Sequence, residues 1–206
     1  MKQGVRWGVR GVLGCAALVL LARCGGDTST GELEVGPGCQ EALAQGTRML
    51  ACGATADAYA EEGLAQTNYG GSRKLVADNL NRRAVFLRFE VPELPAPVVR
   101  ATLRLYAMDG SSDGPKLYRA STDWSEDSLT WEHAPSLTGE PLGDVDGVPH
   151  HSWVEYDVTA AVTASGAYGF ALVTESRNGV DFASKEHTRG EWAPRLLLTL
   201  EDSSRK

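Results

Sequence analysis

The chain has 206 residues, of which 42% are hydrophobic and 23% are charged, and its formal net charge is −7. This length is typical of one folded domain with a short appendage, and so large a hydrophobic fraction argues against disorder from end to end. The excess of acids excludes a general nucleic-acid binder, because phosphate contacts require clustered Lys and Arg side chains.

Residues 1–23 are typical of an export signal. Three basic residues, Lys2, Arg6 and Arg10, flank an apolar run at 11–22 that is too short for a comfortable membrane helix. Residues 21–24 resemble a bacterial lipobox, so we expect Cys24 to be lipid-modified and to become the first mature residue. Arg23 stands where that pattern has a small residue, and plain secretion is the alternative. Loss of four basic residues with the signal would change the charge from −7 to −11.

Residues 24–55 are interpreted as a tether and a cap. Residues 25–38 are rich in Gly, Ser, Thr and acids, as a flexible linker would be. Residues 41–50 have some helical character. With Cys15 removed and Cys24 lipid-modified, Cys39 and Cys52 are the remaining pair, and in an oxidising compartment we expect them to form a disulfide that staples the cap. Two unpaired thiols are the alternative.

Short apolar runs separated by turn clusters fill the chain from about residue 56 to residue 200. Within 85–91 and 99–107, apolar residues alternate strictly with residues such as Arg88, Arg104 and Tyr106, which indicates strands with one buried and one wet face. The sequence therefore predicts an all-β domain at 56–200, an antiparallel β-sandwich of jelly-roll type, followed by a polar tail at 201–206. The expected strands are 74–77, 85–91, 99–107, 116–120, 129–132, 152–156, 169–174, 180–184 and 195–200.

One short helix is expected to interrupt this pattern. Asp157 precedes a run of Val, Thr and Ala that ends at Ser165 and Gly166. An Asp in this position is typical of an N-cap, whose carboxylate accepts hydrogen bonds from the first free backbone N–H groups. A role for Asp157 as a metal ligand is the alternative.

A series of short motifs, in this order, resembles the DNRLRE-domain proteins, whose domain is similar to carbohydrate-binding module family 96. The motifs are ADAY at 56–59, TNYGG at 67–71, RRAVFLRF at 82–89, ATLRLY at 101–106, DWSE at 123–126, LTW at 129–131, WVEYDVT at 153–159, YGF at 168–170 and PRL at 194–196. The resemblance implies a β-sandwich in an extracellular bacterial protein, usually beside polysaccharide-degrading domains, and some members look like binders of acidic polysaccharides. Here we expect the module to make up nearly the whole mature chain.

Basic and aromatic residues on the wet strand faces are the candidates for carbohydrate binding. Arg88, Arg104 and Tyr106 lie on the wet faces of strands 85–91 and 99–107, and Arg83 lies at the entry of the first. If the two strands paired with each other, Arg88 and Arg104 would lie on the same open face. A planar guanidinium suits a uronate carboxylate, and a neighbouring ring can stack on a sugar. Alternatively, the Arg residues pair with acids on a solvated sheet.

The tryptophans are expected to divide between two roles. Trp124 and Trp131 fall within the recurrent motifs, and aromatic residues there are expected to fill the core and corners of the sandwich. Trp192, in the loop at 188–192, is a freer residue and is the candidate for a sugar platform.

A structural Ca²⁺ ion is the expected cofactor, if there is one. Many Asp and Glu residues lie in the expected loops, and carboxylate oxygens are the ligands that Ca²⁺ prefers. Asp57 is the first candidate ligand, by analogy with the structural ions of other sandwich modules.

Catalysis has little support in the sequence. The Gly-x-Ser-x-Gly motif of many serine hydrolases is absent, and a lyase-like cluster at 185–189 is better interpreted as surface charge. We therefore expect a non-catalytic, monomeric module that binds a polysaccharide, with no nucleic-acid partner and with membrane attachment only through a lipid. The alternatives are an adhesion lipoprotein with a protein partner and, third, a small polysaccharide lyase. The expected location is the outer membrane or cell surface, or otherwise the medium.

Overall fold

The structure is a computed structural model that describes residues 38–44 and 47–201, with only the backbone described at 42–44 and 47–48. The expected signal, the lipidation residue Cys24, most of the tether and most of the polar tail lie outside the described residues. Within them, no helix is long and apolar enough to cross a membrane.

The described part of the chain folds into antiparallel strands and two single-turn 3-10 segments, Glu62–Leu64 and Gly190–Trp192. The strands are β1 (Cys39–Ala44), β2 (Thr47–Gly53), β3 (Ala56–Glu61), β4 (Lys74–Ala77), β5 (Arg83–Val91), β6 (Val98–Ala107), β7 (Lys116–Ala120), β8 (Leu137–Gly143), β9 (Ser152–Asp157), β10 (Gly166–Val173), β11 (Val180–Ala183) and β12 (Arg195–Leu200). The predicted all-β antiparallel sandwich is confirmed.

The strands form two sheets. The seven-stranded sheet has the order β1-β2-β12-β6-β11-β4, with β9 also paired to β6, and the five-stranded sheet has the order β3-β5-β10-β7-β8. Between β3 and β7 each successive strand passes to the other sheet. The predicted alternation is found in both long strands, since the apolar face of each one is buried between the sheets. The core contains, among other fully buried side chains, Phe89, Phe170, Phe182, Leu87, Leu103, Leu105, Leu196 and Leu198.

The strands β5 and β6 do not pair with each other. The Pro-rich connection at 92–97 carries the chain from the five-stranded to the seven-stranded sheet, so the outward faces of the two strands lie on opposite sides of the sandwich. The expectation that Arg88 and Arg104 share one open face is therefore wrong. Alternation fixes which side chains of a strand face outward but carries no information about which sheet the strand joins.

The segment at 39–53 is a β-hairpin, and the helical interpretation of 41–50 is wrong. Strand β2 pairs with β12, so the hairpin is an integral edge of the seven-stranded sheet. The disulfide between Cys39 and Cys52 is confirmed, and it joins residues directly opposite each other in the hairpin. Ladder hydrogen bonds to β12 outweigh the weak helical propensity of the segment.

Two other expected elements are replaced by loops. The expected strand at 129–132 belongs to a loop at 121–136, where Leu129, Trp124 and Trp131 cover a second apolar cluster on the outer face of the five-stranded sheet.

The expected helix after Asp157 is one turn, in which the N–H of Val162 donates to the carbonyl of Val158 (3.0 Å). The turn is short because the chain enters β10 at Gly166, whose φ of 142° lies outside the helical region. The Asp157 Oδ1 atom does accept the backbone N–H of Thr159 (2.9 Å), as the capping interpretation predicts.

Candidate functional site

Two rows of cross-strand neighbours on the outer surface of the seven-stranded sheet form the base of a candidate binding face. Strands β6 and β9 pair so that Tyr106 lies opposite Trp153 and Arg104 lies opposite Glu155. The Tyr106 and Trp153 rings are 5.2 Å apart in an edge-to-face arrangement. On β6, the residue between Arg104 and Tyr106 is buried, so the Arg104 and Tyr106 side chains project away from the core.

Trp192 joins this surface from the 3-10 turn that precedes β12. Its ring stacks on Tyr106 with a centroid separation of 4.1 Å and an interplanar angle of 15°. The His187 ring also stacks on Trp192, at 5.1 Å. The result is a continuous strip of rings, each only partly exposed, which runs from Trp153 to His187.

Two accessible guanidinium groups lie against this strip. Arg104 is centred 4.1 Å from the Trp153 ring, and Arg189 is 4.5 Å from the Trp192 ring. Arg104 Nε also lies 3.2 Å from a Glu155 carboxylate oxygen, an ion-pair contact without the direction of a hydrogen bond. The Arg104 side chain is 30% exposed and Arg189 is exposed. We call Arg104, Tyr106, Trp153, Arg189 and Trp192 the arginine–aromatic face.

The arginine–aromatic face suits a ligand that carries a planar carboxylate on a ring, because the arginines can bind the carboxylate while the aromatic side chains contact the ring. Both guanidinium groups lie close to an indole ring and are accessible, and a guanidinium can bind a carboxylate through two parallel N–H groups. The Tyr106 ring lies under Trp192 and supports it.

Arg83 and Arg88 lie on the other sheet, engaged with protein groups. Arg83 forms two hydrogen bonds to the Glu61 carboxylate, at 3.0 and 3.2 Å. Arg88 Nη1 donates to the backbone carbonyl of Trp124 (2.5 Å), and its guanidinium lies 5.7 Å from the Trp124 ring. The structure thus brings together Arg104, Tyr106 and Trp192 but neither of these two arginines. The alternative interpretation, pairing within the sheet, describes Arg83 well.

A second cluster, of three carboxylates, surrounds Asp57. Asp57, Glu126 and Glu186 each offer a carboxylate oxygen within 4.8 Å of the other two. The backbone N–H of Asp57 donates to Glu126 (2.8 Å), and Asp57 Oδ2 accepts the backbone N–H of Lys185 (2.8 Å). The Lys185 ammonium bridges Glu126 (2.8 Å) and Glu186. We call Asp57, Glu126 and Glu186 the carboxylate cluster.

Burial dominates the protonation behaviour of this cluster. Asp57 is 1% exposed. Removal from water raises the pKa of the Asp57 carboxyl well above its usual value, and the negative charges of Glu186 and Glu126 raise it further against the effect of the Lys185 N–H. Burial lowers the pKa of Lys185, but its hydrogen bonds to the two glutamates prevail and raise it to about 12.

An open groove beside β7 and β10 is a weaker candidate for a binding site. It is lined by Arg119, Ser121, Thr122, Thr138 and Tyr168 among others. Its one guanidinium donates to the backbone carbonyls of residues 160 and 161, and the Tyr168 hydroxyl donates to that of residue 164. The groups best suited to a sugar are therefore already engaged.

Sequence reasoning missed Trp153, Arg189 and Glu186 as members of these two clusters, and it considered Glu126 only as one of several loop acids that suit Ca²⁺. The alternation of 152–156 placed Trp153 on an outward face, and that signal was available. Nothing in the sequence brings Glu126 within reach of Asp57, because the contact depends on how a loop packs across 69 residues of sequence separation.

The sandwich with an outward face of aromatic and arginine side chains defines the chain as a β-sandwich binding module. The comparison with protein families agrees, because the chain matches carbohydrate-binding module family 96 over residues 50–200. The chain therefore belongs to this family, a class of non-catalytic binding modules. No curated protein matches it significantly.

Proposed function

We propose that the protein binds an acidic, uronate-containing polysaccharide through the arginine–aromatic face. The observation that carries the proposal is the convergence of Arg104, Tyr106 and Trp192 from two distant segments into one partly exposed cluster with Trp153 and Arg189. Family membership supports a carbohydrate ligand, and the two guanidiniums support an anionic one.

The charge of the whole chain does not oppose this proposal. Residues 109–157 hold eleven acids against two bases, so a large share of the net negative charge lies in that part of the sequence. Exposed charges more than about 8 Å apart are largely screened at physiological ionic strength. A uronate at Arg104 therefore responds mainly to the groups near it, and among the eleven acids Glu155 is the one in contact with Arg104, which the uronate carboxylate would have to replace.

Binding to a panel of polysaccharides tests the proposal. Isothermal titration or affinity electrophoresis should show binding to uronate polymers and none to neutral glucans. Arg104→Ala and Trp192→Ala should each weaken binding about 10-fold or more, since hydrogen bonds to charged groups contribute about 1.5–3 kcal/mol and stacked rings a comparable amount. Arg177→Ala is the matched control, because Arg177 is an exposed arginine outside the arginine–aromatic face. It precedes β11, whereas Arg189 and Trp192 follow that strand. If the wild-type protein binds none of the polymers, the proposal is wrong.

We further propose that the module acts without catalysis. A lyase would release unsaturated uronates that absorb in the ultraviolet, and we expect no such product from uronate oligosaccharides. An adhesion role with a protein partner predicts a different result, namely capture of an envelope protein that added glycan does not displace.

Export and lipid attachment complete the proposed role. The basic opening, the apolar run at 11–22 and Cys24 support display of the module on the cell surface. Metabolic labelling with a radioactive fatty acid should mark the wild-type protein and not a Cys24→Ala variant. An unlabelled wild type found in the medium would favour plain secretion, and a labelled variant would show that the lipid is attached at a residue other than Cys24.

A further inference from the structure

The carboxylate cluster joins three segments that are far apart in sequence. Asp57 belongs to β3 of the five-stranded sheet, Glu126 to the loop at 121–136, and Glu186 to the segment that follows β11 of the seven-stranded sheet. Hydrogen bonds already link them, because Glu126 accepts the N–H of Asp57 and Asp57 accepts the N–H of Lys185. The cluster is therefore at a junction between both sheets and a covering loop.

The cluster has more acceptors than the protein satisfies. Among the described residues, the buried Asp57 Oδ1 and Glu186 Oε2 atoms have no hydrogen-bond partner. Asp57 is 1% exposed, so water is not freely available to that oxygen. A buried polar atom that lacks a partner costs free energy, which is a reason to expect a ligand there.

The charges are also unbalanced. Three carboxylates share a single ammonium, that of Lys185, which contacts Glu126 and Glu186. Asp57 receives only a backbone N–H. A divalent cation would offset two of the three negative charges where Lys185 offsets one, and it would give the two unsatisfied oxygens a partner.

We propose that the carboxylate cluster binds a Ca²⁺ ion and that the Lys185 ammonium moves out to solvent when the ion binds. The Lys185 side chain is 27% exposed at the cluster, so it has a route outward. Asp57 Oδ1, Glu126 and Glu186 supply the protein ligands. Water can complete the coordination shell, because the Glu126 and Glu186 side chains are 25% and 26% exposed.

Calcium suits this cluster better than magnesium. All three ligand groups are hard oxygens, one from a strand and two from loops, and Ca²⁺ accepts six to eight oxygens in flexible geometry. Mg²⁺ demands near-ideal octahedral geometry and retains its water. The bound ion would tie β3, the loop at 121–136 and the segment after β11 to one another.

Metal binding is measured directly on the purified chain after treatment with chelator and its removal. Tb³⁺ is a calcium mimic whose luminescence a nearby indole excites, and Trp124 is two residues from Glu126. Titration with Tb³⁺ should give a saturable signal that Ca²⁺ displaces and Mg²⁺ does not. Ca²⁺ at roughly 100 times its Kd should raise the thermal midpoint by about 5–10 °C. No signal and no shift would overturn the proposal, whatever the result of the glycan experiments.

Matched variants assign the ion to these residues. Glu186→Gln should weaken Tb³⁺ binding about 10-fold or more, and Glu140→Gln, which changes an exposed acid in β8, should not. Equal affinities of Glu186→Gln and the wild type would place the ion elsewhere and overturn the assignment.

Lys185→Met tests the displacement of the ammonium. Without a competing ammonium, this variant should bind Tb³⁺ more tightly than the wild type and should depend more strongly on Ca²⁺ for its thermal stability. Weaker binding by Lys185→Met would overturn the displacement step, because it would show that the ammonium assists the ion.

Discussion

Arg88 and Arg104 are arginines on the outward faces of consecutive strands, but their side chains meet different surroundings. Arg88 lies beneath the loop at 121–136 and donates to the Trp124 carbonyl, whereas Arg104 lies on the open arginine–aromatic face. A guanidinium that satisfies a loop carbonyl contributes to stability. Arg104, which lies beside the Trp153 ring and is partly exposed, is accessible to a ligand.

The two arginines should therefore separate stability from binding. Arg88→Ala removes the donor to the Trp124 carbonyl, so it should lower the free energy of unfolding by about 1–3 kcal/mol and leave uronate affinity unchanged. Arg104→Ala should lower the uronate affinity and leave the free energy of unfolding nearly unchanged. Denaturant unfolding and titration with glycan measure the two effects. A loss of affinity in Arg88→Ala that matches the loss in Arg104→Ala would mean that glycan binds to both sheets.

Asp157 gives the fold a pH-dependent contact. The Oδ1 atom accepts the N–H of Thr159, and hydrogen bonds to Thr159 lower the pKa of the Asp157 carboxyl from its usual 3.8. A carboxyl with a lowered pKa in the folded state stabilises the fold above its unfolded-state pKa, and the contribution is lost as the pH falls through the folded-state value.

Asp157→Ala should therefore lower the thermal midpoint at neutral pH, and its difference from the wild type should shrink as the pH falls below about 4. Asp157→Asn is the control, because an amide oxygen keeps an acceptor that does not titrate. Thermal unfolding over this pH range measures the difference. A gap between Asp157→Ala and the wild type that stays constant down to the acid limit would show that ionisation adds nothing to the hydrogen bond.

At the scale of elements, the loop at 121–136 is held by the turn at 68–71. Asn68 Nδ2 donates to the carbonyls of Glu126 (2.7 Å) and Leu129 (2.8 Å). A Cβ atom built on Gly70 would lie 2.2 Å from the Glu126 carbonyl oxygen, whereas one on Gly71 would meet nothing within 4 Å. Glycine at 70 is thus required by a close approach of two backbones.

Gly70→Ala should destabilise the fold by about 1–3 kcal/mol or more, because backbone and not a flexible side chain must move to admit the methyl group. Gly71→Ala is the matched control and should be near neutral. Denaturant unfolding monitored by tryptophan fluorescence reports both stability and the packing of Trp124. Equal stabilities of the two variants would show that the loop adapts without cost.

The sequence predicted strands better than it predicted their partners. Period-two alternation in β5 and β6 is a local consequence of one buried face, so it identified both strands and the outward position of Arg104 and Tyr106. Sheet membership depends on long-range pairing, and for that reason the shared face of Arg88 and Arg104 was wrong. The hairpin at 39–53 was misread as helical because its stabilising contacts come from β12, far along the chain.

The candidate site was predictable only in part, for a related reason. Residue type identified Trp192, and the alternation of β6 identified Arg104 and Tyr106, but their convergence requires the turn before β12 to fold onto β6. Asp57 was chosen by analogy with other sandwich modules. Its partners Glu126 and Glu186 come from two loops whose approach no local pattern encodes.

At the scale of the whole molecule, the segment at 184–192 connects the two clusters. It begins with Lys185 and Glu186 in the carboxylate cluster and ends with Trp192 in the arginine–aromatic face, with His187 and Arg189 between them. An ion that holds one end of this short segment restricts the positions open to the other. If both proposals hold, metal binding and glycan binding are thermodynamically linked.

Ca²⁺ should therefore raise uronate affinity by about 5-fold or more, within the usual range of coupling between two sites, and glycan should tighten Ca²⁺ binding by the same factor. The titrations are run at constant ionic strength, because salt alone weakens contacts between exposed charges. Ca²⁺ also binds uronate chains directly. An enhancement that acts through the glycan would persist in Glu186→Gln, whereas one that acts through the carboxylate cluster would be lost. Enhancement by Ca²⁺ in the wild type and its loss in Glu186→Gln would establish the coupling. Identical glycan affinities with and without Ca²⁺, in a protein shown to bind the ion, would mean that the segment at 184–192 keeps Trp192 and Arg189 in place without it.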